Sequence, residues 1–335
     1  MAIIMQFLSD NSARVHSQVW KAMQDADAPD TPYDGDALSA RLDDAFSTLF
    51  GRECAVLWAA TGTAANCLAL ATMVEPHGGV ICHRDSHIEG DECGAPGFYL
   101  HGAKLMLAEG DHAKLTAQGV GDLLGGIRDD VHRVQAHAIS LTQASEDGCV
   151  YRPDELSALT SLARERGLKT HMDGARFANA AAFLNIPPAQ VCGDMDALSF
   201  GFVKNGAMSA EAVVFFDPEL AEVARLRRKR AGLLQSKGRF LAAQLLAMLE
   251  GDLWLTNARA ANDAAAAIAD AAGERLLQPV EANEVFCACS ADEREALRAQ
   301  GYGFYDWGPD AARFVASWDT RLQDAQALGK AIAAL

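Results

Sequence analysis

Residues 168–184 read Leu168-Lys169-Thr170-His171-Met172-Asp173-Gly174-Ala175-Arg176-Phe177-Ala178-Asn179-Ala180-Ala181-Ala182-Phe183-Leu184. A strand-length apolar run (168–172) stops at a carboxylate, turns through a glycine and enters a helix-forming segment (177–184). The same unit recurs on either side. Runs 55–58, 80–82, 138–142, 197–200 and 212–216 are short, apolar and rich in β-branched or aromatic residues, and 64–74 and 153–166 have helical length and pattern. Alternation of this kind predicts an α/β fold with βαβ crossovers and a mainly parallel central sheet covered by helices. Ligands of such sheets bind beyond the carboxyl ends of the strands, so the polar residues just after each run are the ones to weigh.

Beyond about residue 248 the pattern changes. An Ala-rich helical segment (257–272) precedes two candidate strands (284–289 and 312–318) and a closing amphipathic helix (323–335). The expected organisation is a large domain over 1–248 and a smaller C-terminal α+β domain over 249–335, with the N-terminal segment free to pack on the smaller one. The chain has 335 residues, half of them hydrophobic, with 29 Lys+Arg against 45 Asp+Glu and a net charge of −16. That charge repels phosphate backbones and anionic lipid surfaces, which argues against nucleic-acid or membrane partners. The basic run 225–230 reads as a solvated or subunit-facing helix surface. Eight cysteines without a CxxC pair predict reduced, buried thiols. With no leader-like start and no apolar run of about 18 residues, the expectation is a soluble cytoplasmic enzyme.

Four strand ends carry candidate chemistry. Asp173 and Arg176 read either as a structural clamp or helix cap, or as a cofactor-facing carboxylate with an anion-binding arginine. Lys204, in Gly201-Phe202-Val203-Lys204-Asn205-Gly206, follows the run ending at Phe200. Desolvation there would favour the neutral amine that builds a Schiff base; the plainer reading is a lysine snorkelling to solvent. Thr61-Gly62-Thr63 opens a helix after the first run and can cradle a single phosphate, although any Thr-capped helix looks similar. His83 and His87, with Glu89, Asp91 and Glu92 nearby, have metal-ligand types. Their place at a strand-to-loop exit favours His87 as a lid or proton-transfer group instead, and no metal is assigned.

Taken together and in this order, these segments resemble the fold-type I pyridoxal-phosphate enzymes, and within them the low-specificity L-threonine aldolases. The resemblance runs through Ser9-Asp10-Asn11, Gly62-Thr63-Ala64-Ala65-Asn66, Ser86-His87-Ile88, Asp91-Glu92-Cys93-Gly94-Ala95-Pro96 and Thr142-Gln143-Ala144-Ser145-Glu146. It continues through His171-Met172-Asp173-Gly174-Ala175-Arg176-Phe177, Lys204-Asn205-Gly206 and Ser317-Trp318-Asp319-Thr320. It implies that Lys204 forms the Schiff base with pyridoxal 5'-phosphate, that Asp173 pairs with the pyridine nitrogen and that His87 stacks on the ring. Gly62 and Thr63, with Thr61, would hold the phosphate, and Ser9, Arg176 and Arg313 would surround the substrate carboxylate. Arg176 is also carried over as a cofactor-site residue. A basic residue of a neighbouring subunit often completes the phosphate site in this family, and Arg230 or Lys237 are the counterparts here. Val203 departs from the Ser or Thr common before the lysine, which puts one phosphate hydrogen bond in doubt.

The implied reaction is retro-aldol cleavage of L-threonine, L-allo-threonine and related β-hydroxy-α-amino acids to glycine and an aldehyde, with His87 or water as base. The implied assembly is a homodimer or homotetramer with its site at the subunit interface. Alternatives stay open: a phenylserine aldolase or β-eliminating lyase on the same cofactor, a metallohydrolase using His83 and His87, or a catalytically silent binding protein.

Overall fold

The computed structural model describes residues 5–335, so the first four residues of the expected large domain lie outside the described residues. Twelve strands follow in chain order: β1 (Met5–Gln6), β2 (Ala55–Ala59), β3 (Gly79–His83), β4 (Lys104–Ala108), β5 (Ala136–Thr142), β6 (Lys169–Gly174), β7 (Ala197–Phe200), β8 (Glu211–Phe215), β9 (Glu284–Ala288), β10 (Tyr302–Gly303), β11 (Tyr305–Asp306) and β12 (Ala311–Val315). Seven of them make one sheet in the order β2-β8-β7-β6-β5-β3-β4. Pairing is parallel from β4 to β7 and antiparallel on both sides of β8. The central strands β7 and β8 are buried throughout, which their continuous apolar runs require of a sheet covered on both faces.

Where the sequence reading and the structure part, the causes are local. β4 escaped it because Lys104-Leu105-Met106-Leu107-Ala108 is an edge strand that alternates exposed and buried residues. The antiparallel direction of β8 leaves no mark in a buried apolar run. Cys93 is exposed, whereas the other seven cysteines are buried, and all eight are free. Arg228, in the basic run, is 1% exposed: its guanidinium lies 4.4 Å over the Trp58 ring, donates to Trp58 O and pairs with Asp34.

Two tight approaches set the strand ends that matter. A Cβ at Gly201 would lie 2.6 Å from Ala175 O, and one at Gly174 would lie 2.6 Å from Leu198 Cδ1. Only glycine lets the turn after β7 run against the turn after β6. Beneath them Phe200 is ringed by Phe202 at 4.3 Å, Phe177 at 4.8 Å and Trp254 at 5.5 Å between centroids, a packed floor under the following turn.

The remaining strands form smaller sheets, β11-β12-β9 and the parallel pair β1-β10. Phe7 N–H donates to Gly303 O and Val315 N–H to Phe7 O, so the N-terminal segment is tied to this C-terminal sheet. The helix Leu253–Ala272 contributes Trp254 and Ala258 to the core of the large sheet and Ala265 and Ile268 to the core around β9 and β12. No helix among the described residues is long and apolar enough to cross a membrane.

Candidate active site

A cavity of about 440 Å³ opens at the carboxyl ends of β5, β6 and β7, walled on one side by the helix Gly62–Ala71. Asp173, 4% exposed near the end of β6, lies in its floor. Asp173 does not pair with Arg176. Its Oδ1 accepts the Ala175 N–H at 2.9 Å and its Oδ2 accepts Asn66 Nδ2 at 2.7 Å. The same Asn66 amide donates to Glu92 Oε1 at 3.0 Å, and His87 Nδ1 donates to that oxygen at 2.9 Å. His87, Glu92, Asn66 and Asp173 thus form one chain of side chains. The hydrogen bond to Glu92 holds the His87 pKa above its usual value, with the charges of Asp173 and Glu146 adding to it and burial opposing.

Lys204 sits in the turn Val203–Asn205, half-buried and facing the cavity. Its neighbour Asn205 donates to Trp254 O at 2.7 Å and accepts Asn257 Nδ2 on its backbone carbonyl at 2.8 Å, which fastens the turn to the helix Leu253–Ala272. On the opposite wall Thr61 caps the helix Gly62–Ala71, its Oγ1 accepting the Ala64 N–H at 3.1 Å. The Gly62 and Thr63 N–H groups precede the first intrahelical bond and have no partner among the described residues. A Cβ at Gly62 would meet no atom within 4 Å, so the approach to those groups is open.

Arg176 lines the cavity at 5% exposure. Its Nε and Nη2 donate to Asp10 at 2.9 and 3.1 Å, and Nη1 lies 3.3 Å from Glu284 Oε2. Arg313 pairs with the other oxygen of Glu284, at 2.8 Å from Nη2. Two arginines and two buried acids alternate, and the charges balance along the ladder. Arg313 and Ser9 do not line the cavity: Arg313 stands behind Glu284, and Ser9 lies 3.4 Å from Asp10 with its Oγ, while Asn11 reaches the cavity instead. Arg230 and Lys237 also lie away from it, Arg230 on a separate hollow beside Phe98 and Tyr99, Lys237 bridged to Tyr33. His83 turns from His87, its Nε2 against Gly110 O at 3.0 Å and its Nδ1 accepting the Asp85 N–H at 3.1 Å. Among the described residues no three His, Cys, Asp or Glu side chains gather as a metal site.

The donor set fits pyridoxal phosphate. A buried carboxylate fixed by two hydrogen bonds suits a protonated ring nitrogen, uncommitted N–H groups at the start of a ten-residue helix suit a phosphate, and a lysine faces the space between. Two acids of the site, Glu146 and Glu211, drew no role from sequence, and a third, Glu92, entered only beside the His83 and His87 metal-ligand types. Glu92 is buried and holds His87. Glu146 lines the cavity, accepts the His87 backbone N–H at 3.2 Å and is pushed up to about 7 by burial and the Asp173 charge. Glu211 opens β8 and is likewise pushed up to about 7 by burial. The readable signal for Glu211 was an acid at the head of the apolar run Ala212-Val213-Val214-Phe215.

A family model described as beta-eliminating lyase matches residues 6–292. The low specificity L-threonine aldolase of Pseudomonas aeruginosa is 44% identical over 335 residues, covering 98% of this chain and 96% of that protein. A protein of the same description from a Pseudomonas sp. is 43% identical, covering 94% of this chain and 93% of its own. Among solved structures, the threonine aldolase of Leishmania major superposes with a TM-score of 0.93 at 24% identity, covering 98% of both chains, a likeness of fold.

Proposed function

The chain belongs to the beta-eliminating lyase family, alongside the low-specificity L-threonine aldolases, and from that premise we propose that it cleaves the Cα–Cβ bond of L-threonine and L-allo-threonine, giving glycine and acetaldehyde. It is a pyridoxal-phosphate-dependent lyase. The observation that carries the reading is the placement of Asp173 near the carboxyl end of β6 and of Lys204 just after the neighbouring parallel strand β7, both facing one cavity whose far wall is an open helix N-terminus.

In this reading Lys204 holds the cofactor's aldehyde through Nζ, Asp173 its pyridine nitrogen, and Gly62 and Thr63, with Thr61, its phosphate. His87 covers the ring. When bound, the cofactor supplies the electron sink that accepts the pair released as Cα–Cβ breaks. Everything else falls to the chain. Asp173, fixed in place by Asn66 and the Ala175 N–H, would hold a proton on the ring nitrogen. Arg176 takes the substrate carboxylate with the donors its ion pairs leave free, while Asp10 and Glu284 fix the plane of its guanidinium. Ser9 and Arg313 act one step back, by holding Asp10 and Glu284. His87, held by Glu92, is the candidate for taking the β-hydroxyl proton.

We further propose a cytoplasmic homodimer or homotetramer with a large unit ending near residue 248 and a small one after it. Eight free cysteines support a reducing compartment, and Phe98 and Leu226, each 76% exposed, support burial against other subunits. The test is an assay of L-threonine, L-allo-threonine and β-phenylserine with separate detection of aldehyde and ammonia. Aldehyde with glycine is expected; ammonia without aldehyde would replace the aldolase reading with β-elimination.

A further inference from the structure

Glu211 is a buried acid in the cavity wall for which the reaction as described has no use. It stands opposite Ala59 in the β2–β8 register, immediately before the Ala60-Thr61-Gly62 turn that leads into the open helix N-terminus. Its Oε2 accepts the N–H of Phe202 at 2.5 Å and of Val203 at 3.2 Å, so the carboxyl spans from the anion cradle to the lysine turn. Both of these hydrogen bonds end on Oε2, no hydrogen bond to Oε1 is formed among the described residues, and the residue lines the cavity with Thr61, Gly62 and Lys204. Val203 has no hydroxyl, and its N–H is already committed to Glu211. Position 203 therefore offers an anion no donor of its own, and the carboxyl that takes its N–H is Glu211.

We propose that Glu211, as the neutral acid, donates a hydrogen bond from Oε1 to the phosphate of bound pyridoxal phosphate, and that its ionisation weakens cofactor binding. This rests on the cofactor reading above. The physical case is a matter of sign. A carboxylate facing a phosphate dianion repels it, whereas a carboxylic acid makes a short, charge-assisted O–H···O bond to it. Burial favours the neutral form, raising this carboxyl to about 7 even though two N–H groups and the Lys204 charge favour ionisation, with the Asp173 charge adding to the rise. His87, Glu146 and Arg176 are the other charged or titratable groups lining the cavity from neighbouring elements. A phosphate dianion would push the acid higher still, so the bound state keeps its proton where the empty one begins to lose it.

The test is a titration of apoprotein with pyridoxal phosphate, followed by absorbance, between about pH 6 and pH 9, for wild type and Glu211→Gln. The glutamine keeps an acceptor for the two N–H groups and presents an N–H₂ donor at every pH. The two proteins should bind within a few-fold of each other at the acid end. At the alkaline end wild type should be weaker by about tenfold or more, the ratio corresponding to one unit or more of linked ionisation. Pyridoxal, which lacks the phosphate, should show no such pH-dependent ratio. A constant ratio for pyridoxal phosphate, or the same trend with pyridoxal, overturns the inference while leaving the aldolase reading intact. Failure of both proteins to take up the cofactor at any pH removes the cofactor reading and this inference with it. Val203→Thr in the wild-type background is the second probe: the added hydroxyl should tighten binding more at the alkaline end than at the acid end, and equal tightening at both counts against Glu211.

Discussion

Asn66 Nδ2 lies 2.7 Å from Asp173 Oδ2 and donates its second hydrogen to Glu92 Oε1, leaving Asn66 Oδ1 buried without a partner among the described residues. The fold accepts one unsatisfied carbonyl to set an amide between two buried acids. Asn66→Ala removes the donor from both, at a cost of about 1–3 kcal/mol for groups left buried and underbonded. The Asp173 carboxylate then loses one of the two hydrogen bonds that fix it against the ring nitrogen. The expected outcome is a lower melting temperature, a visible absorbance band that changes with pH where the wild-type band does not, and turnover reduced at least about tenfold. An unaltered band at an unaltered rate would remove Asn66 from the machinery.

Lys204→Ala should abolish both the visible absorbance of the holoprotein and turnover, since no other lysine lines the cavity among the described residues. Borohydride reduction followed by peptide mapping should place the label on Lys204 in wild type. A label elsewhere, or normal cleavage by the variant, refutes the assignment.

His87 and Glu92 make a separable pair. His87→Asn should keep the cofactor and lower turnover by about 10²–10⁴-fold if the imidazole moves the proton. Glu92→Gln replaces the carboxylate whose hydrogen bond holds the His87 pKa up, so the imidazole becomes neutral at lower pH. The limb of the kcat/KM profile that reports His87 should then move to lower pH, with the alkaline rate less affected. A limb that stays in place shows that another group controls it.

The strand ends were legible because an apolar run that stops at a charged or polar residue advertises both the edge of the sheet and what stands there, as with Asp173 after 168–172 and Lys204 after 197–200. Partners were not legible. Arg176 meets Asp10 across 166 residues and Glu284 from the other sheet, and nothing in the local pattern of either acid tells which cation it faces. Ser9 and Arg313 came through the resemblance as substrate contacts, and the structure gives each an acid of that ladder as its nearest charged partner. Arg228 looked like surface because five of its neighbours in 225–230 are charged or exposed, and only the position of Trp58 makes it core.

The ladder itself is testable. Arg176→Gln leaves Asp10 buried without its cation and Glu284 with Arg313 alone, a loss of the kind that costs about 3–5 kcal/mol, and removes the cation proposed for the substrate carboxylate. It should lower the melting temperature and raise KM for L-threonine steeply. Arg313→Ala leaves Glu284 one cation and removes none from the cavity, so its KM should change far less. Equal KM effects from the two would mean that Arg176 acts only as part of the ladder.

Apoprotein stability offers a check on Glu211 that needs no cofactor. Its carboxyl is ordinary in the unfolded chain, at 4.5, and is pushed up to about 7 by burial in the folded one. The folded state therefore favours the neutral acid. That contribution is fully present below about pH 4.5 and is lost as pH rises through about 7, at a total of about 3 kcal/mol. Glu211→Gln stays neutral throughout. In urea titrations the difference in unfolding free energy between Glu211→Gln and wild type should therefore move in favour of the variant from about pH 5 to about pH 8. A difference independent of pH would mean that the folded chain holds Glu211 no differently from an exposed glutamate, whatever its burial.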